Sequence, residues 1–167
     1  MIGTVFVMGP AGCGKTTLGR GLAGATGAVY LEGDAFHPPE NVAAMSAGRA
    51  LNDDMRRPWL AALGAAAGAE ARAGRACVAA CSALRRSYRD QLRAAAGPCR
   101  FLFLDAPEAA LAARVASRPG HYMPASLVVS QIATLEVPGS DEADALRLDA
   151  LLPEGELLAA ALEAVSR

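Results

Sequence analysis

An apolar run over residues 4–8 leads straight into 9-GPAGCGKTT-17, and a helix-forming stretch follows from Lys15. These residues match G-x-x-x-x-G-K-[ST] in full, in the strand–loop–helix setting that the motif requires. Glycines let successive backbone N–H groups turn inward around phosphate oxygens, while the helix N-terminus adds its positive dipole end. The predicted nucleotide cradle is Gly9, Ala11, Gly12, Cys13, Gly14, Lys15, Thr16 and Thr17, with Lys15 reaching the β- and γ-phosphates and the Thr16 hydroxyl ligating Mg²⁺. Composition sharpens the reading. Lys15 is the only lysine among sixteen Lys and Arg residues, so a bias toward Ala, Gly and Arg has spared this one position. A glycine turn that binds nothing would leave that lysine without a reason.

Short β-branched or apolar runs alternate with alanine-rich helical stretches, the pattern of a layered α/β domain with a parallel sheet. Strands are predicted over 4–8, 28–31, 76–81, 100–104 and 145–148, and helices over 15–26, 39–47, 58–73, 86–95, 107–118 and 153–165. The segments 46–57 and 117–139 fit neither element. Insertions of that length in a compact α/β domain are commonly lids or substrate loops. At 167 residues, with no linker or repeat, the chain reads as one domain with a lid insertion at about 117–139. The stretch 61-AALGAAAGAEARAGRA-76 reads as a helix with a weakened, glycine-dotted end. A net charge of −1 provides no general attraction to nucleic acid or an anionic membrane. The four cysteines lack CxxC spacing, and no apolar run approaches a membrane span or a signal peptide, so the predicted setting is cytoplasmic with reduced thiols.

A base-reading N-K-x-D is impossible without a second lysine, which excludes the usual GTPase pattern. The run 101-FLFLD-105 resembles a strand ending in a magnesium-holding carboxylate, but Asp105-Ala106-Pro107 reads better as an N-cap followed by proline at the first helical position. The end of the second strand instead supplies Glu32 and Asp34. Ligands of parallel sheets collect beyond the carboxyl ends of the strands, so the loop at 9–16, the segment 32–37 and the segment 82–89 should converge. There Asp34 is suited to align an acceptor hydroxyl and take its proton. On local sequence alone, the alternative is that Asp34 and His37 order a turn before the Pro38-Pro39 helix and that 85-RRSYR-89 forms a solvated basic face.

Beyond the loop, the blocks 31-LEGDAFHPPENVAAMSAG-48, 51-LNDDMRRPWL-60, 80-ACSALRRSYRDQLR-93 and 120-GHYMPASLVVSQIATLEVPG-139 together resemble the gluconate kinase family, small P-loop kinases related to shikimate kinase and the nucleoside monophosphate kinases. The resemblance spans nearly the whole chain. It implies a three-layer P-loop kinase fold with five parallel strands and a helical lid, Mg²⁺ and ATP as cofactors, and a homodimer. It also implies ATP-dependent phosphorylation of the terminal hydroxyl of D-gluconate, giving 6-phospho-D-gluconate for the pentose phosphate or Entner–Doudoroff route. Lys15, Asp34 and Arg118 are then the catalytic residues, Thr16 and Glu32 the metal ligands, and Arg114 and Arg118, i,i+4 on one helix face, nucleotide contacts that swing onto the phosphates. A polyol ending in a carboxylate calls for an arginine fork, Arg89 first with Arg56 and Arg85 behind it, and His37 and His121 for its hydroxyls. The sequence departs from the family at Glu32, where the usual acid is Asp, and at Pro119, where the usual residue is basic. Rival readings are a kinase for another small acceptor and a nucleotide-binding protein without turnover.

Overall fold

The computed structural model describes residues 2–118 and 125–167. Strands β1 (Thr4–Met8), β2 (Val29–Glu32), β3 (Cys77–Ala80), β4 (Cys99–Asp105) and β5 (Ala145–Asp149) pair in parallel in the order β2-β3-β1-β4-β5. β1 is buried throughout, as a central parallel strand must be. Its side chains alternate between two cores. Val5 and Val7 pack with α1 (Lys15–Thr26), α5 (Glu108–Ala116) and α7 (Glu154–Ser166) through Leu18, Leu22, Leu111 and Leu157, whereas Phe6 and Met8 face α3 (Asp53–Arg72) and α4 (Arg86–Ala96) through Trp59, Leu63 and Leu92. The rings of Phe6 and Phe101 stack with centroids 5.3 Å apart. The chain leaves β1 for β2 and then returns to β3 beside β1, so the order reverses at β1 and a crevice opens at the carboxyl ends.

The predicted strands and helices occur, and three differences have physical causes. First, α3 begins at Asp53, ahead of the predicted start at Pro58. Asn52 caps it, its side chain accepting from the Met55 N–H at 2.9 Å, and Asp53 and Asp54 favour the positive helix end. Second, α3 runs to Arg72 without a weakened end. Its glycines face α4: a Cβ at Gly64 would lie 2.7 Å from Ala95 Cβ, and one at Gly68 would lie 2.6 Å from the Ala95 carbonyl oxygen. Third, the insertion contains helix α6 (Ala125–Thr134), and α5 stops at Ala116, so Arg118 lies beyond the helix rather than one turn above Arg114. The short helix α2 spans Pro39–Ser46, and Gly33–Phe36 form a 3-10 turn before it.

Asp105 is not the predicted cap. Pro107 occupies the cap position, and the Asp105 carboxylate accepts from Arg147 Nε at 3.0 Å. The four cysteines are free thiols, and burial pushes Cys77 and Cys99 up to about 11 and Cys81 to about 12, leaving them as packing groups. Among the described residues no helix is long and apolar enough to cross a membrane.

The α3–α4 contact yields a prediction opposite to helix propensity. Gly68→Ala should destabilise the protein by about 1–3 kcal/mol, because the added methyl meets fixed backbone. Denaturant unfolding of the variant and of the exposed-helix control Gly155→Ala, whose new methyl meets nothing within 4 Å, provides the measurement.

Candidate active site

Two cavities meet at the loop between β1 and α1. The first, ≈ 850 Å³, opens where β1, β2 and β3 end; its wall includes Lys15, Thr16, Glu32, Asp34, His37 and Arg56. The second, ≈ 880 Å³, lies between the loop and the turn after β5 and includes Thr17, Arg114, Ala150 and Leu157. Gly12, Gly14 and Arg118 line both.

The loop between the cavities has little room for side chains. Gly12 holds φ +84°, and a Cβ there would approach the Leu111 carbonyl oxygen to 2.8 Å. Lys15 Nζ donates to the Pro10 carbonyl at 3.1 Å, across the loop. The Ala11 amide donates to Gln131 Oε1 at 2.8 Å, so α6 rests on the phosphate loop. Behind the loop, Arg114 donates to the Gly12 carbonyl at 3.3 Å and to Ala150 at 3.0 Å, tying the loop to the turn after β5. Cys13 is buried against the loop, and that burial raises its pKa and suppresses thiolate character.

At the tip of β2 the Thr16 hydroxyl donates to Glu32 Oε2 at 2.9 Å, and the Tyr30 hydroxyl donates to the same oxygen at 2.7 Å. Desolvation, then the Glu32 carboxylate, raises the Tyr30 pKa, so Tyr30 remains a donor. Hydroxyl and carboxylate oxygens side by side at a phosphate loop are the hard donors that Mg²⁺ takes, and the longer Glu32 reaches Thr16 directly. The donor set fits the ion.

Gly33 turns the chain from Glu32 to Asp34. A Cβ at Gly33 would sit 2.0 Å from the Ala80 carbonyl oxygen, so no other residue fits without moving β3. The Gly33 carbonyl accepts from Trp59 Nε1 at 2.8 Å, and the His37 ring stacks on Trp59 with centroids 4.1 Å apart. Asn41 Nδ2 donates to the Met55 carbonyl at 2.8 Å, which fixes the amide orientation and makes His37 Nδ1, 3.2 Å away, an acceptor. Burial, against an opposing pull from Asp34 and with a smaller push from the Arg56 charge, lowers His37 to about 4. His37 is thus a neutral imidazole that carries its proton on Nε2.

A family model described as an AAA domain matches residues 5–138. The chain is 52% identical over 138 residues to a gluconokinase of Gluconobacter oxydans, covering 83% of this chain and 78% of that protein. It is 36% identical to the thermoresistant gluconokinase of Escherichia coli, covering 96% and 92%. A crystal structure of a gluconokinase from Sinorhizobium meliloti superposes with a TM-score of 0.89 at 44% identity, covering 99% of this chain and 92% of that one. The chain belongs to the gluconokinase family.

Within this gluconokinase fold the structure separates the three arginines predicted for a carboxylate. Arg56 lines the cleft; its Nη1 donates to the Tyr88 hydroxyl at 2.9 Å, and that hydroxyl donates to Asp53. Arg89 does not reach the cleft. It is completely buried, its Nε and Nη2 donating to the two oxygens of Glu142 at 2.7 and 2.6 Å. The family block 80–93 marked the residue but not the direction in which it points. Arg85, the residue before α4, lies off the cleft wall, its Nε buried without a hydrogen-bond partner among the described residues. Arg118 is on the wall of both cavities, whereas His121 and Pro119 lie outside the described residues.

Several site residues escaped the sequence reading. Tyr30 had a usable signal, since i and i+2 on a strand share a face with Glu32. Trp59 had none, because its partner Gly33 comes from a distant segment, as does Met55, which fixes Asn41. Gln131 and Glu136 stood in a family block without a role; Gln131 contacts the loop, and Glu136 Oε2 accepts from the Arg86 amide at 2.8 Å at the start of α4.

The histidine generates a pH test. Its folded pKa lies below the unfolded value of about 6.5, so stability that it contributes at neutral pH is lost as pH falls from about 6.5 toward about 4. In His37→Gln the thermal midpoint should fall less steeply across that window than in the native protein; equal slopes would contradict the assignment.

Proposed function

We propose that this protein transfers the γ-phosphoryl group of ATP to the terminal hydroxyl of D-gluconate, giving 6-phospho-D-gluconate and ADP. The observation that carries the reading is that the phosphate loop, with Lys15 and Thr16, and the acceptor-side groups Asp34, His37 and Arg56 line one cleft. The nucleotide base and sugar occupy the second cavity, so the triphosphate crosses Gly12 and Gly14 to enter the first.

Asp34 aligns the gluconate hydroxyl and accepts its proton as the hydroxyl oxygen bonds to the γ-phosphorus; the bond to the bridging oxygen breaks and ADP leaves. Lys15 leaves the Pro10 carbonyl for the phosphates, and the loop amides stabilise charge on the transferring group. Arg118, where the cavities meet, and Arg114 behind the loop supply further positive charge toward the phosphates. Thr16 and Glu32 would hold Mg²⁺, which when bound would neutralise charge developing on the phosphates. At the far end Arg56 pairs with the gluconate carboxylate; the Tyr88–Asp53 chain holds its fork in place. His37, its ring fixed by Trp59 and Asn41, donates from Nε2 to a sugar hydroxyl. The family resemblance implies a homodimer whose product feeds the pentose phosphate or Entner–Doudoroff route, in the cytoplasmic setting read from the sequence, and molar mass by light scattering tests the dimer.

A coupled ADP assay across gluconate, other sugar acids, shikimate and nucleoside monophosphates tests the acceptor: turnover with another acceptor and none with gluconate overturns the reading. Asp34→Asn should lower kcat by about 10²–10⁴-fold with the ATP KM little changed. Arg56→Lys should raise the gluconate KM, because a point charge replaces a two-pronged fork. In Glu32→Gln the Mg²⁺ concentration at half-maximal rate should rise, measured by metal titration at saturating ATP.

A further inference from the structure

Ala83 has φ 43°, the one non-glycine residue with positive φ among the described residues. Left-handed backbone is strained for a residue with a Cβ, so the surroundings must impose it. The turn over 82–85 that contains it joins β3 to α4 and places Ser82 and Leu84 on the acceptor side of the cleft. The Ser82 carbonyl also accepts from the Gly9 amide at 3.2 Å, which couples the turn to the start of the phosphate loop.

The restraint comes from Arg89. Its Nη1 donates to the carbonyls of Ala83 at 3.0 Å and Leu84 at 3.3 Å, the two that follow the strained Ala83 φ along the chain. Glu142 grips the same guanidinium at two points, and also accepts from Arg93 Nη2 at 2.8 Å. The side chains of Arg89 and Glu142 are 1% and 3% exposed. Burying such a pair is costly, and an apolar pair of the same volume often serves stability as well or better. A gain beyond stability therefore has to account for it. Glu142 follows α6 and lies outside the segments that mark the family in the sequence. From the same return segment the Glu136 amide donates to the Leu84 carbonyl at 2.8 Å, bracing the turn from its other side.

We propose that Glu142, acting through Arg89, is a positioning residue for the acceptor: it holds the 82–85 turn in the left-handed form that sets Ser82 and Leu84 against bound gluconate. This rests on the acceptor reading of the cleft given above. Neither Glu142 nor Arg89 touches substrate; both act through the backbone of the turn.

The test replaces the pair together, Arg89→Met with Glu142→Leu, so that no charge is left buried alone. The expected result is a thermal midpoint near that of the native protein, a gluconate KM raised by about tenfold or more, and an ATP KM changed by less than about twofold. Adding Ala83→Gly, which takes positive φ without strain, should recover part of the gluconate KM. An unchanged gluconate KM, an equal rise for both substrates, or no recovery with Ala83→Gly overturns the proposal. If the paired variant does not fold, Glu142→Asp, which keeps the charge and shortens the reach, should show the same split between substrates and the same recovery, and failure to do so overturns it. Native protein without gluconate turnover would defeat the acceptor reading separately. Hydrogen exchange of the 82–86 amides then decides the turn's restraint: faster exchange in the variant supports the proposal, and unchanged exchange overturns it.

Discussion

At the end of β2 the Gly33 backbone presses against the Ala80 carbonyl so closely that a single methyl group would have to lie 2.0 Å from that oxygen. The parallel register Glu32 to Ala80 brings the two strand ends level, and the missing side chain lets β2 turn across the top of β3 instead of away from it. Glu32 consequently meets Thr16 at the phosphate loop, and Asp34, two residues on, faces the acceptor side of the same cleft. Trp59 locks the turn through the Gly33 carbonyl and then serves as the platform for His37. A glycine contact buried in the sheet thus organises groups on the phosphate-loop side and on the far side of one cleft.

The charges of the site are divided by their surroundings rather than by residue type. Arg56 and Arg89 are both strongly buried arginines from helices of the same layer, yet one borders the cleft with a neutral tyrosine as its partner, while the other is neutralised by Glu142 inside the protein. The Arg89 guanidinium, with Arg93 adding to it and burial opposing, lowers Glu142 to about 2, so this carboxylate is ionised at neutral pH. An arginine bound in this way has little left with which to recognise a ligand, whereas Arg56 keeps a charge facing the cavity.

Much of the fold could be read along the chain. The loop 9–17, the five strands and most helices depend on local patterns: alternation in a strand, helical period, glycines at the phosphate loop. The misreadings fall where a distant segment decides. Pro58 looked like a helix start, but Asn52 and two acids had already nucleated α3; the glycines in that helix looked like weakness, but they are the surface on which α4 lies. Asp105 resembled a cap until Arg147 from β5 took its carboxylate. In the site, Thr16, Glu32, Asp34, His37 and Arg56 could be named from motifs, but Gln131 and the Asn41–Met55 contact gain their meaning from partners that no local pattern indicates.

The amino-acid sequence alone determined that this chain binds phosphate at one loop and builds a parallel sheet behind it, because both follow from residues within reach of one another along the backbone. Which arginine faces an acceptor and which is consumed by an internal carboxylate was decided only by tertiary structure. Arg89 and Glu142 are separated by 53 positions, and their pairing depends on where α4 and the return from α6 come to rest. Burial then makes the choice binding, since a guanidinium in the interior must be matched by charge before it can serve anything outside.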